Sequence, residues 1–126
     1  MVRKRSLVTI LSVLILALFS TGCWLHYTSH PGALNTFDSK TYDSLLTAQA
    51  ALDKAKAEYA DGTISGDKVK AAINKAGEVY NELRDDWLAY RTLESSGKDT
   101  ASMIATINAI IPQVSQAITD LQALVK

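Results

Sequence analysis

"VKAAINKAGEVYNELRDDWLAY", residues 69–90, decides the fold. Val69, Ile73, Ala76, Tyr80, Leu83, Trp87 and Tyr90 recur at spacings of four, three, four, three, four and three. A row at that spacing falls on one face of an α-helix, which completes a turn in about 3.6 residues. A half-buried strand needs alternation by two, and this stretch has none. An unbroken row of this kind is the seam of a helix that packs against other helices. Ser65 is the expected N-cap, with Ile64 and Val69 as a hydrophobic staple across the first turn. "SSG", residues 95–97, closes the helix, so the expected span is 66–95.

The pattern repeats on both sides. Upstream, "NTFD" at 35–38 offers Asn35 as N-cap and Asp38 three residues later, an approximate capping box. Leu45, Ala48, Leu52, Ala55 and Tyr59 follow at alternating three and four, flanked by Tyr42, Leu46 and Gln49. "DG" at 61–62 stops the helix, because Gly tolerates the left-handed turn after a last helical residue. The expected span is 36–61. Its many alanines allow close approach of a neighbour. Downstream, a third helix is expected over about 99–125, starting near Asp99 or Thr100. Ile104, Ile107, Ile111, Val114, Ile118, Leu121 and Val125 form its seam, and Met103, Ile110, Ala117 and Leu124 widen it. Pro112 removes a backbone donor, and its ring is expected to face outward.

Three amphipathic helices joined by short turns predict an all-α fold, an antiparallel up-down-up three-helix bundle over residues 35–126. In that order the first helix starts, the second ends and the third starts at one end of the bundle. Phe37, Tyr42, Trp87, Tyr90 and Met103 are expected to gather there. Seams this regular also suit coiled coils between chains.

The N-terminus has a different character. Arg3, Lys4 and Arg5 precede an apolar run from Leu7 to Phe19, and Ser20, Thr21 and Gly22 lead to Cys23, the one cysteine of the chain. A basic, then apolar, then small-residue order is the layout of an export signal. "STGC", residues 20–23, resembles the end of a bacterial lipoprotein signal peptide, with Ser20 where that class usually has Leu. The resemblance covers residues 1–23. It implies cleavage between Gly22 and Cys23 and a diacylglycerol on the Cys23 sulfur. An uncleaved membrane-spanning anchor and an ordinary cleaved signal are the competing readings, since about 20 apolar residues suffice to span a bilayer. Residues 23–34 read as the lipidated cysteine and a short tether. Trp24, Leu25 and Tyr27 suit a lipid–water interface, and Pro31 and Gly32 break regular structure.

Composition narrows the functions. The 126 residues hold 13 basic and 13 acidic side chains, but three of the basic ones precede the apolar run. Without the first 22 residues the balance is 10 − 13 = −3 over 126 − 22 = 104 residues. A mildly acidic single domain is a poor match for nucleic acid. Cys23, His26 and His30 have a C-x2-H-x3-H spacing. A lipidated sulfur is no thiolate ligand, and two histidines leave too few donors, so no metal or other cofactor is expected.

No enzymatic constellation is evident. Asp85 and Asp86 are neighbours, and neighbours on a helix point about 100° apart, so they do not form an acid–base pair. Asp86 shares the row Ala72, Val79, Asp86, Leu93, an uncomfortable place for a carboxylate. Trp87 and Tyr90 lie on the seam, where core packing is the expected role. With Asp86 they are also the candidate contacts for a ligand or partner. The expectation is a lipid-anchored bundle at the cell membrane or outer membrane, with its domain outside the cytoplasm. It would bind or scaffold a partner protein of the envelope. A sensing bundle with a pocket at Asp86, Trp87 and Tyr90 is the alternative. A phage-encoded envelope lipoprotein is a third, for which no residue argues.

Overall fold

The computed structural model describes residues 30–125. The signal layout, the proposed cleavage after Gly22, Cys23 and the aromatic residues beside it, and His26 all lie outside the described residues. Contacts divide the chain into two units, Met1–His30 and Pro31–Lys126. The second holds three helices: α1 Thr36–Asp61, α2 Asp67–Ser95 and α3 Ala101–Leu124. No strand occurs among the described residues, and the arrangement is a three-helix bundle. No described helix is long and apolar enough to cross a membrane.

The helix ends follow from local chemistry. Asn35 has an extended backbone, and its side chain accepts the Asp38 N–H at 2.9 Å. That satisfies one of the donors a helix start leaves open. The capping box is only half formed. The Asp38 carboxylate accepts the Leu34 N–H at 2.8 Å, one residue before the N-cap. α1 ends at Gly62, whose φ of +84° is natural only for glycine. The end of α2 is a Schellman turn, in which the Lys98 N–H donates to the Leu93 carbonyl and the Gly97 N–H to the Glu94 carbonyl. Gly97 has a φ of +67° there.

Two starts differ from the sequence reading. The N-cap of α2 is Gly66, not Ser65, and its φ is +107°. The acid of Asp67 in the first turn faces the positive helix end in place of a capping hydroxyl. Ile64, two residues before the cap, is half-buried against the core. α3 starts at Ala101, whose N–H is taken by the Asp99 carboxylate at 3.0 Å.

One apolar core joins all three helices. α1 supplies Leu45, Ala48, Leu52 and Ala55, all expected. α2 supplies Val69, Ile73, Ala76, Leu83 and Tyr90 from the seam, and Val79 from the row beside it. Tyr80 and Trp87 are only partly buried against that core. A central helix must face two neighbours, so its buried stripe is wider than a single row, and Tyr80 and Trp87 sit at the stripe's edge while Tyr90 lies within it. α3 buries the zone between its two rows: Ile107, Ile110, Val114, Ala117, Ile118 and Leu121. Leu124, placed in the widened face by the sequence, is exposed. Pro112 faces outward, and α3 runs through it without a break. The carbonyl it deprives of a donor, that of Asn108, lies on the exposed side where water reaches it.

Candidate functional site

The expected aromatic gathering forms. Phe37 and Tyr90 meet edge to face at 4.9 Å between ring centroids. Tyr42 stacks on Trp87 at 5.6 Å. Met103 packs against the same core. At the centre of the gathering is a carboxylate that the sequence presented only as a capping residue.

Asp38 is 2% exposed. One oxygen, Oδ1, accepts the indole N–H of Trp87 at 2.6 Å. The other, Oδ2, accepts the Leu34 N–H and lies 3.5 Å from Nε of Arg91. Asp38 is the third residue of α1, where the positive end of the helix also favours a negative group. A buried carboxylate is tolerable only with such partners. Arg91 follows Trp87 by one helical turn, and its guanidinium carbon sits 5.2 Å from the centroid of the Trp87 ring. Its Nη2 donates to the Gly32 carbonyl at 3.0 Å. Nε of Arg91 makes an ion pair with Asp38 but no hydrogen bond.

Tyr90 is the largest fully buried side chain. Its hydroxyl accepts from the Asn35 amide at 2.7 Å. Asn35 therefore serves twice: its oxygen caps α1, and its nitrogen holds α2. These bonds form a clamp. They fix the segment 32–35 and the first turn of α1 to the last turns of α2. Residues 31–34, read from sequence as tether, thus belong to the bundle.

The three residues singled out from sequence separate here. Trp87 and Tyr90 join the clamp, and both spend their polar atoms inside it. Asp86 is half-buried, and the carboxylate that meets Trp87 is Asp38 instead. Tyr90 is core, as the seam implied, while Trp87 is a half-buried partner of a carboxylate. Nothing in helical periodicity pairs residue 38 with residue 87. The available hint was local: a carboxylate at the third helical position, and a Trp–Arg pair one turn apart.

Three surface grooves lie elsewhere. One of about 440 Å³ runs between α1 and α3, with Ala48, Ile111, Val114 and Ile118 among its walls. One of about 360 Å³ lies between α2 and α3 beside Val79, Pro112 and Ala117. A third, of about 80 Å³, lies at Ala55, Leu121 and Val125. None of the three is lined by Asp86, Trp87 or Tyr90. Among the described residues, no three His, Cys, Asp or Glu side chains come together to hold a metal ion. Compared with family models, curated proteins and solved structures, the chain matches none of them.

Proposed function

We propose that this protein is exported, anchored through lipid on Cys23 to a bacterial envelope membrane, and acts as a binding or scaffolding module. The observation that carries the reading is the basic, apolar, small-residue, cysteine order of residues 3–23. The bundle grips its own N-terminal lead at Gly32 and Leu34, which ties residues 32–35 to α1 and α2. The bundle is read as antiparallel up-down-up. In its support, α1 and α2 pair Asn35 with Tyr90, Asp38 with Trp87, and Gln49 with Tyr80, so one number falls as the other rises. Between α1 and α3 the numbers rise together: residues 43–48 share a groove with 111–122, and 51–58 share one with 121–125.

The reading assigns no catalytic role. The polar groups of Trp87 and Tyr90 are committed within the fold, which favours placement over ligand chemistry at this end of the bundle. Mass spectrometry of the membrane fraction tests it. The expected mature chain begins at a diacylated Cys23, and Cys23→Ser accumulates uncut precursor. A mature protein that retains Met1, or an unmodified Cys23, overturns the anchor. Crosslinking in the native envelope then identifies the partner protein.

A further inference from the structure

We propose that the α1–α2 face, at the end held by the clamp, is a lipid-docking surface that lays the bundle against the bilayer holding its N-terminus. The inference rests on the anchor proposed above and adds which face of the bundle meets the membrane. Five large apolar side chains are exposed among the described residues: Leu34, Tyr42, Leu46, Leu88 and Leu124. The first four gather at one end. Tyr42 stacks on Trp87, the residue before Leu88. Leu46 follows Tyr42 by one helical turn. The Leu34 N–H is bound by the same carboxylate, Asp38, that takes the Trp87 indole. Leu124 stands apart, beside Leu121 and Val125, which line a groove with Ala55 and Glu58 of α1. Single exposed leucines are ordinary, whereas four large apolar side chains at one end mark a contact surface.

The residue types fit a lipid–water boundary. Trp87 and Tyr42 have an apolar body and a polar tip, the kind of ring that settles at headgroup level. Arg84 precedes Leu88 by four residues and Arg91 follows it by three, so both share its side of α2. Arginine stems lie along apolar surface while their heads stay in water. The acids of these turns are paired or lie elsewhere. Asp38 is buried against Trp87 and Arg91, and Asp85 lies 3.5 Å from Arg84. Asp43 lines the groove between α1 and α3. Asp86 lies on the row of Val79, which lines the groove shared with α3. None of the three grooves is lined by Leu34, Tyr42, Leu46, Trp87 or Leu88. A partner's anchoring side chain needs a recess to enter, and a fluid lipid surface does not.

The lead selects the bilayer as occupant. Arg91 holds the Gly32 carbonyl while its guanidinium lies over Trp87, so the chain towards Cys23 departs from the patch itself. Gly32 follows Cys23 by nine residues, which span at most ~30 Å when fully extended. A bilayer that holds Cys23 is therefore always within reach of the patch, at high effective concentration. Four partly exposed side chains are too few to recruit a domain from solution, but tethering removes most of the cost of association. With Asp38 beside Arg91 and Asp85 beside Arg84, the contact is apolar, and ionic strength is expected to leave it unchanged.

Fluorescence of the full chain, isolated from membranes and reconstituted into phosphatidylcholine vesicles, tests the proposal. Trp24→Phe leaves Trp87 as the sole tryptophan. Its emission is expected to be quenched when the lipids carry brominated acyl chains, at low and high salt alike. Adding Leu46→Glu and Leu88→Glu is expected to abolish that quenching, with helicity and melting temperature unchanged because both sites are exposed. Adding Leu124→Glu instead, at an equally exposed site, is expected to keep it. In a separate variant, Trp87→Phe leaves Trp24, beside Cys23, as a reporter of the anchor. A quenched Trp24 with an unquenched Trp87 overturns the docking, leaves the anchor standing and turns the patch over to a protein partner. If neither tryptophan is quenched, anchor and docking fall together. Quenching of Trp87 that survives the paired glutamates overturns the assigned face.

Discussion

Asp38 shows how one side chain comes to hold two helices and a lead segment. Its two oxygens take the Trp87 and Leu34 N–H groups and face Arg91. Asp38→Ala leaves both donors, the half-buried Trp87 indole N–H and the Leu34 N–H, without their acceptor. The expected loss is about 1–3 kcal/mol, chiefly from the indole donor, because an orphaned donor costs more than a bond gains. The partly exposed Arg91 adds little to that sum. Asp38→Asn keeps one acceptor oxygen and is expected to lose about half as much. Denaturant midpoints of the two variants give the comparison, and equal midpoints would refute the clamp. Asp61 offers a test by pH. Its carboxyl is held below the ordinary value of 3.8 by hydrogen bonds from the Thr63 hydroxyl and then the Thr63 N–H. A carboxyl lowered by folding contributes stability above its unfolded pKa. That contribution fades as pH falls through the lowered value. An NMR titration should place Asp61 below 3.8, and Thr63→Ala should move it back up. Neither of these carboxylates announced its partners in the sequence. Asp61 bonds two residues away, within a turn, and Asp38 bonds across 49 residues, which only folding brings together.

At the scale of the helix, the seams were legible and the ends less so. Hydrophobic period fixed the spans of all three helices to within one or two residues, since burial selects one face over many turns. The start of α2 was displaced because Gly66 supplies a conformation and not a side-chain bond, and Ser65 looked the better cap. The two kinds of glycine in this chain make opposite predictions. Gly97 has a φ of +67° with nothing within 4 Å of an added Cβ. Gly97→Ala is expected to destabilise by about 1 kcal/mol, from backbone strain alone. Gly77 lies inside α2 in ordinary helical conformation, also with nothing within 4 Å. Gly77→Ala is expected to stabilise by about 0.5–1 kcal/mol, because alanine loses less backbone freedom on folding. Thermal melts of the two variants should move in opposite directions. A shared direction would show that the glycines act through something other than backbone freedom.

The bundle of residues 31–125 has one core, and that limits how it can come apart. Ala48, Leu83 and Ile107 belong to one apolar cluster shared by α1, α2 and α3. Each helix buries part of this cluster against the others, so the loss of one exposes apolar surface on the remaining two. A single domain of this kind is expected to unfold in one cooperative step, with a total stability of about 5–15 kcal/mol. Leu83 is the place to test this, since it is fully buried near the middle of the central helix. Leu83→Ala removes three carbons from a packed interior and is expected to cost about 2–5 kcal/mol. Trp87→Ala, at the half-buried edge, is expected to cost less from packing, yet it strips Asp38 of its shortest bond. The sequence placed both residues on one seam and gave no reason to rank them. Distance from the edge of the core supplies that reason, and it exists only once three helices are in place. Native-state hydrogen exchange provides the measurement. With one cooperative unit, Leu83→Ala lowers the protection of the slowest amides in α1, α2 and α3 by the same amount. The amides of residues 34–38, tied down by the clamp, respond to Asp38→Ala through local opening as well. If Leu83→Ala instead weakened α2 and α3 while α1 kept its protection, α1 would be a separately stable element and the single core would be refuted.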